Sequence, residues 1–187
     1  MKIGILRLGH IDPELTERLR ENLKLIFAGF ESEIIAEEMD VPEEALDVVR
    51  KQYDADAILG KIEDCAEKQK RFDRVLGVID ADAFVPRLNF VFGEANCPGK
   101  AALVSLWRLK PEFYGRSSNT ELFFERSVKE ALHELGHTLG LQHCSNPFCV
   151  MHFSNAIVET DVKKSFFCEK CSPQAEAAAE KSGMNLE

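Results

Sequence analysis

One run of residues constrains this chain more than any other: His133-Glu134-Leu135-Gly136-His137-Thr138-Leu139-Gly140-Leu141-Gln142-His143. It reads H-E-x-x-H-x-x-G-x-x-H. On an α-helix His133 and His137 leave the same face, so both imidazoles can converge on one metal ion. Glu134, next to the first of them, is placed to hydrogen-bond a water at that metal rather than the metal itself. His143 cannot join them on a continuing helix. Its offset from His137 amounts to about 600° of rotation and roughly 9 Å of rise, which turns the side chain away from that face. The chain must therefore turn back soon after His137. Gly140 is the residue able to take the left-handed conformation that ends a helix. Three neutral imidazoles with a fourth position open describe a catalytic zinc site rather than a closed structural one.

The helix carrying this run is expected to start at Ser118-Asn119-Thr120-Glu121, with Leu122, Phe123, Val128, Leu132, Leu135 and Leu139 as its apolar positions. The ligands then lie in the last turns of a long, anchored element. Upstream, Lys2–Leu8 reads as a buried first strand with Ile3, Ile5 and Leu8 in the core. Asp12 caps a helix that has Pro13 at its first position and Leu15, Leu19, Leu23 and Ile26 or Phe27 along its apolar stripe. A second strand is expected over Glu33–Glu38, with Ile34 and Ile35 buried, and a helix from Val41-Pro42-Glu43-Glu44 through Tyr53. Periodicity leaves Ala55–Cys65 open between helix and connection.

Arg74–Asp80 is apolar almost throughout, the mark of a central strand. Phe90–Ala95 and Ala101–Leu109 read as two more strands, joined through the turn Asn96-Cys97-Pro98-Gly99 and hence antiparallel. An edge there offers a place for an extended peptide to add as a further strand. A helix over Ala175–Lys181 ends the ordered pattern. The expected class is α+β, with α/β-like order in the first half: a mixed twisted sheet, helices packed on it, and one long site helix.

The six cysteines are unevenly spread. Cys144, Cys149, Cys168 and Cys171 crowd the C-terminal quarter, while Cys65 and Cys97 stand alone and read as small buried hydrophobes. Two close-spaced pairs supply the four thiolates of a closed structural zinc site. The segment after Gly140 is too short for a good core of its own, so a metal can supply folding energy there. Two disulfides, or a pair of unligated buried thiols, are the alternatives. Because Cys144 directly follows His143, a metal held by this cluster also braces the third histidine.

The chain has 187 residues, enough for one domain. Its formal net charge of −9 argues against a nucleic-acid surface or an anionic membrane as partner. The sequence contains no apolar run of the roughly 20 residues a membrane helix needs. The start of the chain lacks the features of a signal peptide, so the expected address is cytoplasmic.

The order of these residues resembles a known family. His133, Glu134, His137, Gly140 and His143 match the zinc signature of the metzincin metalloproteases, and Met151 matches the methionine of their Met-turn. The sequence His143-Cys144, Cys149-x-Met151, Cys168-x-x-Cys171 resembles one branch, the archaemetzincins. The specific match covers residues 133–171. Phe153 stands where some metzincins carry a metal-proximal Tyr.

The resemblance implies a single catalytic domain over 1–187. Residues 1–140 would form an upper subdomain and residues 141–187 a lower one, with Gly140 and Met151 as structural residues at the site. It also implies two zinc ions per chain, one catalytic on His133, His137 and His143 and one structural on Cys144, Cys149, Cys168 and Cys171. The expected activity is a zinc metallopeptidase acting on peptide or protein substrates, with Glu134 as the catalytic residue that activates water. Endopeptidase and aminopeptidase stay open, as does oligomeric state. The alternative function is a zinc-stabilised protein that binds peptides or partners with latent or no proteolysis.

Overall fold

A computed structural model describes residues 1–26 and 30–183. Its main sheet has five strands. β1 (Lys2–Leu8), β2 (Glu31–Ile34), β5 (Arg74–Ile79), β7 (Gly93–Ala95) and β8 (Ala101–Ser105) lie in the order β2-β1-β5-β8-β7. The pairs β1·β2, β1·β5 and β5·β8 are parallel, and β7 closes one edge antiparallel to β8. A small second sheet joins β3 (Leu46–Asp47), β4 (Gln52–Asp54) and β6 (Ala83–Phe84).

Two-residue periodicity divides the main sheet between two cores. Ile3, Ile5, Leu76, Val78, Ala102 and Val104 face helices α1 (Pro13–Ile26) and α3 (Thr120–Thr138). Leu6, Leu8, Val75, Ile79, Ala101 and Leu103 face α2 (Ala55–Lys68). The sheet is therefore a middle layer, and α3 lies across β7 and β8 on one side of it. Two shorter helices, α4 (Ile157–Val162) and α5 (Ser172–Gly183), follow the site. Among the described residues no helix is long and apolar enough to cross a membrane.

Several local expectations hold. Asp12 Oδ1 accepts from the Glu14 amide at 2.9 Å, and Leu15, Leu19 and Leu23 are buried. Phe27 and the side chain of Ile26 lie outside the described residues. The open segment Ala55–Cys65 is helical, with Asp54 accepting from the amides of Asp56 and Ala57 as N-cap. Asn119 does the same for α3 through the Leu122 amide.

Other expectations need correction. There is no helix over residues 41–53: one 3-10 turn at Glu43–Ala45 gives way to β3 and β4. Asp47 Oδ1 takes the amides of Val49 and Arg50 at 2.9 and 3.0 Å, and Lys51 has φ 57°. That local turn competes with helix. It leaves Val48 and Val49 74% and 89% exposed, so no apolar face was available to bury. β2 ends at Ile34, earlier than expected, and only Ile35 of the isoleucine pair is fully buried.

The strand expected over 90–95 is regular only at 93–95, although Val91 bridges to Ala83. β8 stops at Ser105 and a 3-10 turn follows at Trp107–Leu109, where Arg108 and Lys110 pair with Asp82 and Asp80, each at 2.6 Å. Cys65 is half-buried and Cys97 exposed, not the buried pair expected.

α3 is buried nearly all round, so its second face carries polar groups that must find partners inside. Arg126 Nε and Nη2 donate to Asp161 Oδ1 and Oδ2 at 2.7 and 2.8 Å. Lys129 Nζ donates to the carbonyls of Thr160 and Asp161. Glu130 Oε1 accepts from Thr160 Oγ1 at 2.8 Å and lies 3.0 Å from Lys163 Nζ, whose side chain is fully buried. These contacts tie α4 and the residue after it to the site helix.

Breaking the Glu130–Lys163 pair on one side strands a buried charge. Lys163→Met is expected to cost about 3–5 kcal/mol, whereas Glu130→Leu with Lys163→Met is expected to cost much less or nothing. Urea unfolding of the two variants measures the difference, and equal losses would contradict a desolvated pair.

Candidate metal centre

α3 sets His133 and His137 one turn apart on the face turned away from β8. The helix then ends as its sequence requires. The Gly140 amide donates to the His137 carbonyl at 2.8 Å and the Leu141 amide to the Gly136 carbonyl at 3.2 Å, with Gly140 at φ +89°. This is a Schellman cap. It reverses the chain and returns His143 to the other two rings. The His133 and His143 rings stack at 5.3 Å between centroids, and the His137 and His143 rings meet edge-on at 4.8 Å.

Two backbone carbonyls orient the first pair. His133 Nδ1 donates to the Val150 carbonyl and His137 Nδ1 to the Leu141 carbonyl, both at 2.8 Å. Each Nδ1 therefore carries the proton, and each Nε2 presents a bare lone pair. Those two Nε2 atoms face each other at 3.1 Å. Two lone pairs do not attract at that distance unless a cation lies between them. Tetrahedral bonds of 2.0–2.1 Å to zinc set ligand nitrogens about 3.3 Å apart, so the spacing fits that ion.

Burial pushes His133 far below the ordinary histidine range, with the charge of Lys163 acting in the same direction. Burial also takes His137 down to about 4, against the opposing bond to Leu141, and it lowers His143 as well. Each shift favours the neutral imidazole, the form that can bind a metal.

Glu134 lies beside them, 5% exposed. Burial holds its carboxyl well above the usual carboxylate range, and the charges of Glu130 and Glu94 add to the effect. A bound dication acts in the opposite sense. Met151 is fully buried beneath the helix, where its Sδ occupies the space that a Cβ on Gly136 would need. Phe153 packs on His143 at 4.8 Å between ring centroids, and His152 Nδ1 is tied to the Cys144 carbonyl at 2.9 Å. A cavity of about 380 Å³ opens over the three histidines and Glu134, between β7 on one side and Phe153, Ser154 and Asn155 on the other.

The four clustered cysteines also come together, their sulfurs within 4.8 Å of one another. Cys144 and Cys168 Sγ are 3.8 Å apart, and all six cysteines are free thiols, so the disulfide alternative is not adopted. Sulfurs on one tetrahedral zinc at 2.3 Å lie about 3.8 Å apart, which this set matches. Burial raises the Cys168 thiol, but amide bonds from Cys171 and Lys170 and the neighbouring thiols outweigh it and bring it down to about 6. A thiolate is thus favoured at one corner. The cluster flanks the histidine site directly: the Cys144 amide donates to the Met151 carbonyl at 2.9 Å, and Cys149 adjoins Val150.

Some residues at the cavity were not singled out by the sequence. Glu130 lines it one turn before His133, and Gly93 on β7 faces Glu134. A glycine inside a strand-like run is the usual sign of close backbone approach, so Gly93 carried a signal. Glu130 reads simply as one more polar helix position.

Known proteins share this architecture. The profile of Peptidase family M54 matches residues 13–177. The archaemetzincin of Methanocaldococcus jannaschii is 41% identical over 171 residues, covering 91% of this chain and 90% of that protein. The crystal structure of archaemetzincin from Methanopyrus kandleri superposes with a TM-score of 0.84 at 36% identity, covering 96% of each chain. A zinc-dependent peptidase from Methanocorpusculum labreanum gives a TM-score of 0.84 at 30% identity, covering 92% of this chain and 99% of that one. With its histidine triad and four-cysteine cluster each gathered at one point, the chain belongs to Peptidase family M54, the archaemetzincins, and is a zinc metallopeptidase.

Proposed function

We propose that the protein hydrolyses peptide bonds at the centre formed by His133, His137 and His143, with Glu134 as general base. The observation that carries this reading is the opposed pair of Nε2 lone pairs at 3.1 Å, with Glu134 in the same cavity. Zinc, when bound there, supplies Lewis acidity to the attacking water and the scissile carbonyl.

The chain's own residues do the rest. The carbonyls of Val150 and Leu141 hold two imidazoles in the tautomer that leaves Nε2 free. Glu134 takes a proton from the attacking water at its carboxylate and delivers it to the departing amine nitrogen. The peptide lies along β7. Phe92 and Asn96 bond to Ser105 and Ala101 of β8, so the alternation of an antiparallel ladder turns the backbone groups of Gly93 and Ala95 outward, toward such a strand. Substrate side chains beyond the scissile bond meet Glu130, Phe153, Ser154 and Asn155.

In this reading Gly140 divides an upper subdomain from a lower one. Cys144, Cys149, Cys168 and Cys171 hold a second, structural zinc that fixes the lower part beneath the helix.

Glu134→Ala is expected to keep its zinc and lose about 10²–10⁴-fold in peptide cleavage. Mass spectrometry of a diverse peptide mixture, with both proteins zinc-loaded, reads this out, and undiminished cleavage by the variant removes Glu134 from the base role. Metal analysis is expected to find one zinc for each of the two ligand sets. Cys171→Ser should lose the structural ion and melt at lower temperature, and a wild-type stoichiometry of one would exclude the second site.

A further inference from the structure

A general base is ordinarily held in place by a third group that hydrogen-bonds it. Glu134 has none: among the described residues no hydrogen bond or ion pair restrains its carboxylate. Its neighbours on the helix are fixed by carbonyls, Thr160 and Lys163, yet Glu134 projects into the cavity with only packing around it.

The packing has a specific source. β7 passes so close that a Cβ built on Gly93 would lie 2.5 Å from Glu134 Cγ and 2.6 Å from its Oε1. It would also lie 2.5 Å from the Leu103 carbonyl oxygen on β8. No side chain larger than hydrogen fits without displacing the glutamate arm or the strand. The direction follows from the pleat: Gly93 pairs with Val104, which faces α3, whereas Glu94 pairs with Leu103, which faces α2.

We propose that Gly93 is the positioning residue of Glu134. Its bare backbone is the wall that sets the carboxylate's rotamer above the histidines. This rests on the base assignment given above and extends it. The outward backbone groups of the same residue belong to the edge that receives substrate, so Gly93 also sets the distance between bound peptide and base. A peptide whose backbone pairs at Gly93 meets the Glu134 carboxylate at a separation fixed by one residue.

The competing explanation is that Gly93 is required only by the Leu103 carbonyl, as a matter of strand packing. A double-mutant cycle separates the two, because Glu134→Ala removes Cγ and both oxygens but leaves Leu103 in place. Gly93→Ala, Glu134→Ala and the double variant are compared by thermal unfolding with zinc content measured in each.

The melting-temperature loss caused by Gly93→Ala should be clearly smaller in the Glu134→Ala background. If Gly93→Ala does not fold, the double variant should. Equal losses in both backgrounds, or failure of both proteins to fold, overturn the proposal. This readout needs no activity, so it stands apart from the test of hydrolysis. Where Gly93→Ala folds with its zinc, it should lose about 10²-fold in kcat on a peptide substrate, with KM little changed, as expected for a misplaced base. A raised KM with kcat intact would place the effect in the substrate strand alone and refute the positioning role.

Discussion

Three imidazoles must be brought together neutral, with their lone pairs pointed at one spot, and the rest of the molecule follows from that demand. A helix supplies two of them from a single face, four residues apart. The third requires the helix to stop, which the left-handed Gly140 and its Schellman cap achieve. Orientation then depends on two carbonyls, Leu141 in the cap itself and Val150 on the segment that returns under the helix. The ligand rings are therefore correctly tautomeric only when the returning segment is in place. Cys144 adjoins His143 and Cys149 adjoins Val150, so the cysteine cluster brackets the residues that orient the histidines. The two clusters therefore share one returning segment.

The same demand explains the unusual polarity of the site helix. A helix packed on a sheet normally leaves one face to water. Here the returning segment covers that face, and Arg126, Lys129 and Glu130 are buried with partners on Thr160, Asp161 and Lys163. Buried ion pairs of this kind contribute little net stability, because desolvation offsets attraction. Their effect lies in register: each pair is satisfied only when α4 sits at one height along α3. Lys163 has a second effect, since its positive charge adds to burial in keeping His133 unprotonated.

On the other side of the cavity the edge strand performs two tasks at once. β7 is the last strand of the sheet, so its outward backbone groups are unpaired by β8. It also runs against the glutamate arm at Gly93. A free edge strand is a site for unwanted pairing, and β7 limits that hazard by being three residues long and lining a cleft. The short regular stretch is what distinguishes the observed edge from the longer strand expected over 90–95.

Local order in the sequence determined a good deal. The apolar runs at 2–8 and 74–79, the caps at Asp12 and Asn119, the histidine spacing, the stop at Gly140 and the grouping of four cysteines all express short-range rules of periodicity and chain reversal. Where a stretch lacked a buried face, as at Val48 and Val49, the helix start suggested by Val41-Pro42-Glu43-Glu44 misled, and the side chain of Asp47 decided the turn instead. Tertiary structure alone decided which carbonyls orient the imidazoles, which charge answers Glu130, and how near β7 comes to Glu134. These contacts join residues distant in the chain, such as 130 with 163 and 93 with 134. The sequence displays both partners but not their distance, because that distance is set by how whole layers pack.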